Sequence, residues 1–423
     1  MEFENRPPPL RQLERQRAAL SGLRVLDLTG NGLQYCGKLF AQLGADVILV
    51  EPRYGSRSRR EGPFLDDKPH PERSLTFAYF NQGKRGIVLD LDTPDGQRIF
   101  RELAQTADLL IEAESVGAMT RRGLDAPSLS AHTRRLVVCS ITAFGQSGPY
   151  SRHHAEDLTL LAMGGLLYLA GDADAAPMAA HGGQALLAGA QFAAVASMAA
   201  LLQAESCGMG QLLDVSIQEA VSMALENAVQ FYDLERTIRT RKGSEQRQAG
   251  SGLFACKDGM VYLMAGGLAS SRFWHATAEW MIEGGAPGAE SLLGNEWAEQ
   301  SYLESDEGKR RFAGVFGPFA ADRTKAELYE QGQARRIPIC PLNTTADLVE
   351  SRQLRHRNHF QTTLHQFSGR SFEVPGAPYH LSATPWGLGS PAPTLGQHTC
   401  EIMSSLGHDR STQAAWVLAG VTA

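Results

Sequence analysis

The amino-acid sequence predicts an α/β fold built on a parallel sheet, and two observations carry that expectation. Short apolar runs alternate with helical patterns along the first half of the chain, and the spacing leaves room for a crossover helix between successive runs. Runs such as Asp46-Val-Ile-Leu-Val50 and Leu136-Val-Val-Cys-Ser140 are apolar at consecutive positions, which is the pattern of strands covered on both faces.

Positions 1–19 are polar and rich in Arg and Pro; they read as a loosely held N-terminal extension, neither a signal peptide nor a membrane anchor. Arg24-Val-Leu-Asp-Leu-Thr29 is the first predicted strand and ends in a Gly turn. A helix over 36–43 leads to a strand at 46–50. A helix over 93–106, opened by Thr93-Pro94, leads to strands at 109–111 and 136–140. The Gly- and Pro-bearing run Ile141-Thr-Ala-Phe-Gly-Gln-Ser-Gly-Pro-Tyr150 then precedes a helical stretch over 158–169. Positions 185–202 approach membrane-spanning length, but Ala and Gly dominate them and Gln203-Ala-Glu205 follows, so a close-packed core helix is predicted. A strand at 211–216 and a long helix over 218–231 complete a large domain spanning 20–231.

Between 236 and 248 the composition shifts to a polar stretch carrying Arg236, Arg239, Arg241, Lys242 and Arg247, which reads as a solvated linker over 232–250. A smaller domain over 251–336 opens with a hairpin at 252–264 that turns at Lys257-Asp258-Gly259. Helices are predicted around 272–280, 305–316 and 325–333. The segment 337–423 is Pro-rich and extended, holds a helix at 399–406, and is expected to pack back onto another part of the molecule.

A chain of 423 residues accommodates two domains, and 43% apolar with 20% charged residues suits a large core. A net charge of −6 argues against a nucleic-acid surface. The six cysteines are scattered without a C-x-x-C pair, which implies reduced thiols in a cytoplasmic protein and no zinc site or other bound metal.

Several motifs invite chemistry. Gly30-Asn-Gly32 follows a strand, and Glu51 ends the next one, as in a dinucleotide-binding unit, but Tyr35 occupies the place of the third glycine. That substitution favours a Rossmann-like turn without a dinucleotide. Gly145-Gln-Ser147-Gly148 lacks the spacing of a serine nucleophile elbow. His153-His154 has no partner cluster with ligand spacing, which leaves a role beside Asp157 as its remaining use. Gly266-Gly267 is either a plain turn or a loop that covers a site. Asp157 itself lies between the Gly/Pro run and a helix, where backbone N–H groups and the helix dipole favour negative charge. Such an Asp is either an N-cap or a carboxylate nucleophile able to accept an activated acyl group.

From Leu20 to Leu406 the sequence resembles the family III CoA-transferases, a family to which alpha-methylacyl-CoA racemase is related. The resemblance rests on Leu23-Arg-Val-Leu-Asp-Leu-Thr29, Leu43-Gly-Ala-Asp-Val-Ile-Leu-Val-Glu-Pro52, Asn81-Gln-Gly-Lys-Arg-Gly-Ile-Val-Leu-Asp-Leu91 and Arg122-Gly-Leu-Asp125. It continues through Cys139-Ser-Ile141, Phe144-Gly-Gln-Ser-Gly-Pro-Tyr150, Gly210-Gln-Leu-Leu-Asp-Val-Ser216, Gly252-Leu-Phe-Ala-Cys-Lys-Asp-Gly259, Ile337-Pro-Ile-Cys-Pro-Leu-Asn343 and Leu395-Gly-Gln-His-Thr399. It implies a Rossmann-like large domain made from both chain ends, an inserted smaller α+β domain, and an interlocked homodimer of ring-like subunits.

The resemblance also implies Asp157 as the catalytic aspartate. CoA contacts would fall at Gly32, Leu33, Pro52, Arg53, Leu89, Asp90, Asp92, Ala113 to Ser115, Arg121, Thr142, Ala143, Phe144 and Gly145, with Gly266 and Gly267 as a substrate loop. Arg53 and Arg121 suit phosphate, since a guanidinium fork matches its geometry. Three segments depart from the family's usual residues: Leu33-Gln34-Tyr35 for Ala-Gly-Pro, Ala113-Glu-Ser-Val-Gly117 for Asn-Phe-Arg-Pro-Gly, and Glu156 for a His before the aspartate. The implied reaction moves CoA from an acyl-CoA to a carboxylic acid through covalent aspartyl intermediates. Acyl-CoA is then a substrate, no cofactor is tightly bound, and neither nucleic acid nor membrane is a partner. Alternatives are an acyl-CoA racemase or isomerase of the same fold, and a CoA- or dinucleotide-binding protein without transferase activity.

Overall fold

A computed structural model of the chain describes residues 18–241, 243, 246–266 and 271–422. Most of the N-terminal extension, Lys242 and Gly267 lie outside the described residues.

The chain divides into two compact units. The first comprises 1–166, 180–227 and 356–423, and is centred on a six-stranded, all-parallel sheet. Its strands are β1 (Arg24–Leu28), β2 (Asp46–Glu51), β3 (Arg85–Val88), β4 (Leu109–Glu112), β5 (Val137–Thr142) and β6 (Leu212–Ser216), in the spatial order 3-2-1-4-5-6. This is a doubly wound order, whose direction reverses between β1 and β4. Val25, Leu26, Val47, Ile48, Leu49, Leu109, Leu110 and Ile111 are buried, as the unbroken apolar runs require. The predicted strand positions hold for every strand but β3, which is only four residues long and follows a polar stretch.

Helix Gln34–Gln42 packs against β1 and β2 over a buried polar knot. Lys84 Nζ donates to Asp27 Oδ2 (2.8 Å), Gln34 O (2.8 Å) and Asn81 Oδ1 (2.9 Å), with both Lys84 and Asp27 side chains 0% exposed. Asp27 Oδ1 also accepts from the Thr29 N–H and hydroxyl, so this buried charge pair is fully satisfied. Gly37 sits directly over the pair, and a Cβ there would run into Asp27 Oδ2. The glycine that permits close approach is therefore Gly37, two positions past Tyr35. We expect Gly37→Ala to destabilise the protein by about 1–3 kcal/mol in urea unfolding, the usual cost of forcing atoms into a packed interior.

Lys38, on the same helix, donates to Tyr79 O (2.9 Å) and Gln82 Oε1 (3.3 Å) and lies over the Tyr79 ring. Burial, assisted by the charge of Lys84, pulls its pKa down to about 7. Because the folded value is the lower one, the unfolded chain binds the extra proton between pH 7 and about 10. Stability therefore rises with pH across that window and is lost as pH falls through 7. Lys38→Met should flatten the slope, which urea unfolding at pH 7 and 9.5 measures.

The flank of β3 is closed by the chain's end. The Gly86 N–H donates to His398 Nδ1 (3.1 Å), the Val88 N–H to Thr399 Oγ1 (3.2 Å) and the Asp90 N–H to Val421 O (2.9 Å). Ile402, Met403 and Trp416, from helices Thr399–Ser405 and Arg410–Leu418, join the apolar cluster of Ile99, Phe100 and Leu103. The tail is less extended than its prolines suggest. It contains the antiparallel hairpin Phe360–His365 with Arg370–Pro375 and the helix Arg410–Leu418, neither of which is predicted.

Helix Gln184–Cys207 buries a stripe of small residues, including Ala185, Gly189, Ala190, Ala193, Ser197 and Ala204, and leaves Phe192, Val195 and Leu202 exposed. It is long and apolar enough to cross a membrane, and 39% of that stretch is buried. It is thus one-sided, not the fully packed core helix expected. The helix expected over 218–231 breaks at Glu226, whose φ is 52°, into Ile217–Ser222, a short 3-10 turn and Ala228–Glu235. The one expected over 158–169 ends at Met163, before Gly164 and the left-handed Gly165.

The second unit comprises Leu167–Ala179 and Ala228–Arg355. Strands Ser251–Cys256 and Gly259–Met264 form the predicted hairpin, and Ile339–Pro341 adds a third antiparallel strand, so this unit runs past 336. Phe254, Trp274, Trp280, Trp297, Phe312, Phe316 and Phe319 form its aromatic core between the sheet and helices Ser271–Glu283, Asp306–Ala321 and Lys325–Ala334. The expected linker is not a merely solvated one. Arg241 donates to the carbonyls of Asp172 (3.1 Å) and Tyr168 (3.1 Å), which ties Leu167–Ala179 into the unit.

Candidate active site

The carboxyl ends of the parallel strands open onto a crevice at the β1–β4 reversal, where doubly wound sheets bind ligands. Two adjoining cavities occupy it. One, of about 280 Å³, is bounded by Thr29 and Gly30 after β1, Glu51 and Pro52 at β2, Leu89 to Asp92 after β3, Ala113 and Glu114 after β4, and Arg57 and Arg122. The other, of about 450 Å³, shares Ala113 and Glu114 and continues over Asn31, Leu33, Arg121, Thr142, Ala143, Arg152, His153 and His154 to Ala155, Leu160 and Leu186. Thr142 is 9% exposed, and among the described residues its hydroxyl has no hydrogen-bond partner. That hydroxyl is free to bond a ligand or a water entering the cleft.

Asp157 is half-buried at the start of helix Asp157–Met163. Its Oδ1 accepts from the backbone N–H groups of Ala185 (2.8 Å) and Leu186 (3.1 Å), in the first turn of helix Gln184–Cys207. That helix has Gly183 at its N-cap and no side-chain cap of its own, so Asp157 supplies the missing acceptor from a distance in sequence. Its donors are therefore these two amides, and not those of the Gly/Pro run that precedes it. The pair Gly182-Gly183 ahead of an apolar helix is the sequence signal for such a borrowed cap. With Oδ1 held by two amides, Oδ2 remains for chemistry.

The other predicted residues are distributed as follows. Leu33, Arg121, Thr142 and Ala143 line the larger cavity; Leu89, Asp90 and Asp92 line the smaller. Gly32 lies under Leu186, where a Cβ would come within 3.2 Å of that side chain. Phe144 packs edge-on to Tyr150, and Gly145, at φ 85°, lies beside the Asp214 carboxylate. Arg53 stands outside both cavity walls, beside Gly420. Gly266 belongs to the second unit and accepts from the Ser251 hydroxyl, while Gly267 lies outside the described residues.

Glu156 is exposed and accepts from Arg57 Nη2 at 3.2 Å. His153 leans against Tyr150. Glu51, the acid a dinucleotide ribose would need, is consumed: Arg59 donates to both its oxygens at 2.8 and 2.7 Å, and the pair is buried. Sequence reasoning passes over Arg152 and the pairing of Arg122. Arg122 donates from Nε to Asp92 Oδ1 (2.8 Å) and from Nη1 to Glu114 Oε2 (2.9 Å). Burial raises the pKa of Glu112, below this pair, against the hydrogen bonds it accepts from Ser140 and the Glu114 N–H. Among the described residues no cluster of His, Cys, Asp or Glu has the geometry of a metal site.

A doubly wound parallel sheet with a crevice at its switch point, and a carboxylate capped onto a neighbouring helix, define an α/β protein with a candidate site at the carboxyl ends of its strands. The chain belongs to CoA-transferase family III, whose model matches residues 20–399, and it is an enzyme of that family. It is 40% identical over 389 residues to the succinyl-CoA:(R)-benzylsuccinate CoA-transferase subunit BbsE of Thauera aromatica, covering 92% of this chain and 94% of the relative. It is 28% identical to the succinate–glutarate CoA-transferase of Agrobacterium fabrum, over 96% and 97% of the two chains. A crystal structure of a CaiB/BaiF family protein from Brucella suis superposes with a TM-score of 0.81 at 25% identity, over 92% of this chain and all of that one.

Proposed function

We propose that this enzyme moves CoA from a dicarboxylic acyl-CoA such as succinyl-CoA to a second dicarboxylic acid, through covalent intermediates on Asp157. The observation that carries this reading is the Asp157 carboxylate, held through one oxygen by two helix amides; Asp157 is not itself in the wall of the larger cavity, which its neighbours Ala155, Leu160 and Leu186 line. Oδ2 attacks the donor thioester carbonyl, the C–S bond breaks, and CoA leaves as a thiolate, which gives an acyl-aspartyl anhydride. The thiolate then attacks the aspartyl carbonyl and expels the donor acid as its carboxylate, leaving an aspartyl-CoA thioester. In that step the oxygen that becomes negative is the one facing the Ala185 and Leu186 N–H groups, so the cap doubles as an oxyanion site. The acceptor carboxylate attacks next and releases the thiolate, which finally takes the acceptor's acyl group and restores Asp157.

The dicarboxylic class is supported by the names of the similar transferases, which give succinate with benzylsuccinate or glutarate. It is supported also by Arg152 in the cavity wall, which is in no ion pair among the described residues, while Arg121 in the same wall is the expected CoA phosphate contact. CoA contacts would come from Gly32, Leu33, Leu89, Asp90, Asp92, Thr142 and Ala143, with Phe144 and Gly145 behind them, and Arg53 reaching in from outside. We place the enzyme in the cytoplasm, as a dimer of interlocked ring-like subunits whose large domain joins both chain ends; the exposed Phe192, Val195 and Leu202 offer an apolar surface for assembly. Light scattering of the purified protein tests the dimer. Mass spectrometry after incubation with succinyl-CoA and hydroxylamine tests the chemistry: a hydroxamate at position 157 supports it, and an unmodified Asp157 under turnover rejects it.

A further inference from the structure

The larger cavity of the crevice favours an anion. Its wall carries Arg121, Arg152, His153 and His154, and Glu114 is the one carboxylate among its described lining residues. Arg122 already meets that carboxylate at 2.9 Å. The two arginines of the wall come from different elements. Arg121 ends helix Ala118–Arg121 on the β4 side, where Ala113 and Glu114 join the two cavities. Arg152 lies on the strap between β5 and helix Asp157–Met163, a few residues ahead of Asp157. That strap is braced. The His153 N–H donates to Tyr150 O (2.8 Å), the Ser151 hydroxyl donates to Gly148 O (3.0 Å), and the Tyr150 ring packs against both Phe144 and His153. Arg152 itself is exposed and in no ion pair among the described residues. Leu33, Ile141, Leu160, Leu186 and Ile217 give the same wall an apolar surface. An apolar surface with an unpaired guanidinium fits a short methylene chain that ends in a carboxylate.

We propose that Arg152 is a specificity-determining residue: its guanidinium pairs with the distal carboxylate of the acid whose other carboxyl group reacts at Asp157. This rests on the reading that the enzyme moves CoA between dicarboxylic acids. The donor acid leaves before the acceptor enters, so one cation reads both substrates in turn. A monocarboxylic acid of equal length, such as butyrate, covers the apolar wall but forfeits the pair. Arg121, on the β4 side, keeps the separate task of meeting CoA phosphate.

The test is transfer of CoA from saturating succinyl-CoA to isotopically labelled succinate, to glutarate and to butyrate, by the wild type, Arg152→Gln, Arg152→Lys and Arg121→Gln. Arg152→Gln should lower kcat/KM for the two dicarboxylic acids by about 10- to 100-fold, chiefly through KM, and the ratio of succinate to butyrate should fall with it. Arg152→Lys keeps the charge without the fork and should fall between. Arg121→Gln should raise the KM for succinyl-CoA and not shift that ratio. A ratio that Arg152→Gln leaves as in the wild type overturns the assignment, whether activity drops for all three acids alike or for none. A ratio moved by Arg121→Gln instead overturns it as well. A wild type that takes butyrate as readily as succinate sinks the role of Arg152 and leaves the transferase reading standing. So does one that forms the hydroxamate at position 157 yet passes CoA to none of the three acids. A wild type with neither transfer nor hydroxamate removes both readings.

Discussion

Asp157→Asn should lower CoA transfer by about four orders of magnitude or more, the scale seen when a covalent nucleophile is removed, while leaving the melting temperature close to that of the wild type. The asparagine side-chain oxygen can still accept from the Ala185 and Leu186 N–H groups, so helix Gln184–Cys207 keeps its borrowed cap. Asp157→Ala removes nucleophile and cap together, and should add a stability loss of about 1 kcal/mol. Comparing the two separates chemistry from capping, which a single alanine substitution confounds. The measurements are exchange of CoA between succinate and candidate acids followed by chromatography, and urea unfolding. An Asn variant that transfers within tenfold of the wild type would reject the nucleophile and leave Asp157 a helix cap only.

Lys84→Met should be the most damaging change away from the crevice. It strips the ammonium from a fully buried carboxylate, and uncompensated buried charges cost about 3–5 kcal/mol. Asn81 Oδ1 and Gln34 O lose a donor at the same stroke. The expected result is a urea midpoint shifted down by a large part of the protein's stability. Replacing Asp27 by Leu as well should recover part of the loss, because a packed apolar pair no longer strands a charge. A single Lys84→Met variant with wild-type stability would reject the claim that the buried pair holds this part of the fold together.

How far the molecule is legible from its sequence depends on where each signal resides. The sheet is legible because strands such as Asp46–Glu51 and Val137–Thr142 hold runs of consecutive apolar residues, a local property. Strand Arg85–Val88 and the hairpin Phe360–Pro375 are not, since the first is short and flanked by charge, and the second is polar on both faces. Helix Arg410–Leu418 is hidden because only Gln413 and Trp416 are buried in it. Asp157 stands out by its place between a Gly/Pro run and a helix. Its amide donors do not, because they belong to a helix that begins well downstream and meets it only through folding. The same holds for Arg122, whose partners Asp92 and Glu114 come from two different strand ends. In each of these cases the missing information is tertiary.

The clasp of His398, Thr399 and Val421 over β3 also sets the order in which the protein can be completed. During synthesis the β3 flank stays unzipped until residues 398–421 have left the ribosome, whereas the inserted unit, which ends at Arg355, has all its parts earlier. The nascent chain thus carries an open sheet margin for the whole of that interval, a natural docking place for a chaperone and a hazard for self-association. Removing residues 398–421 would make that transient vulnerability permanent.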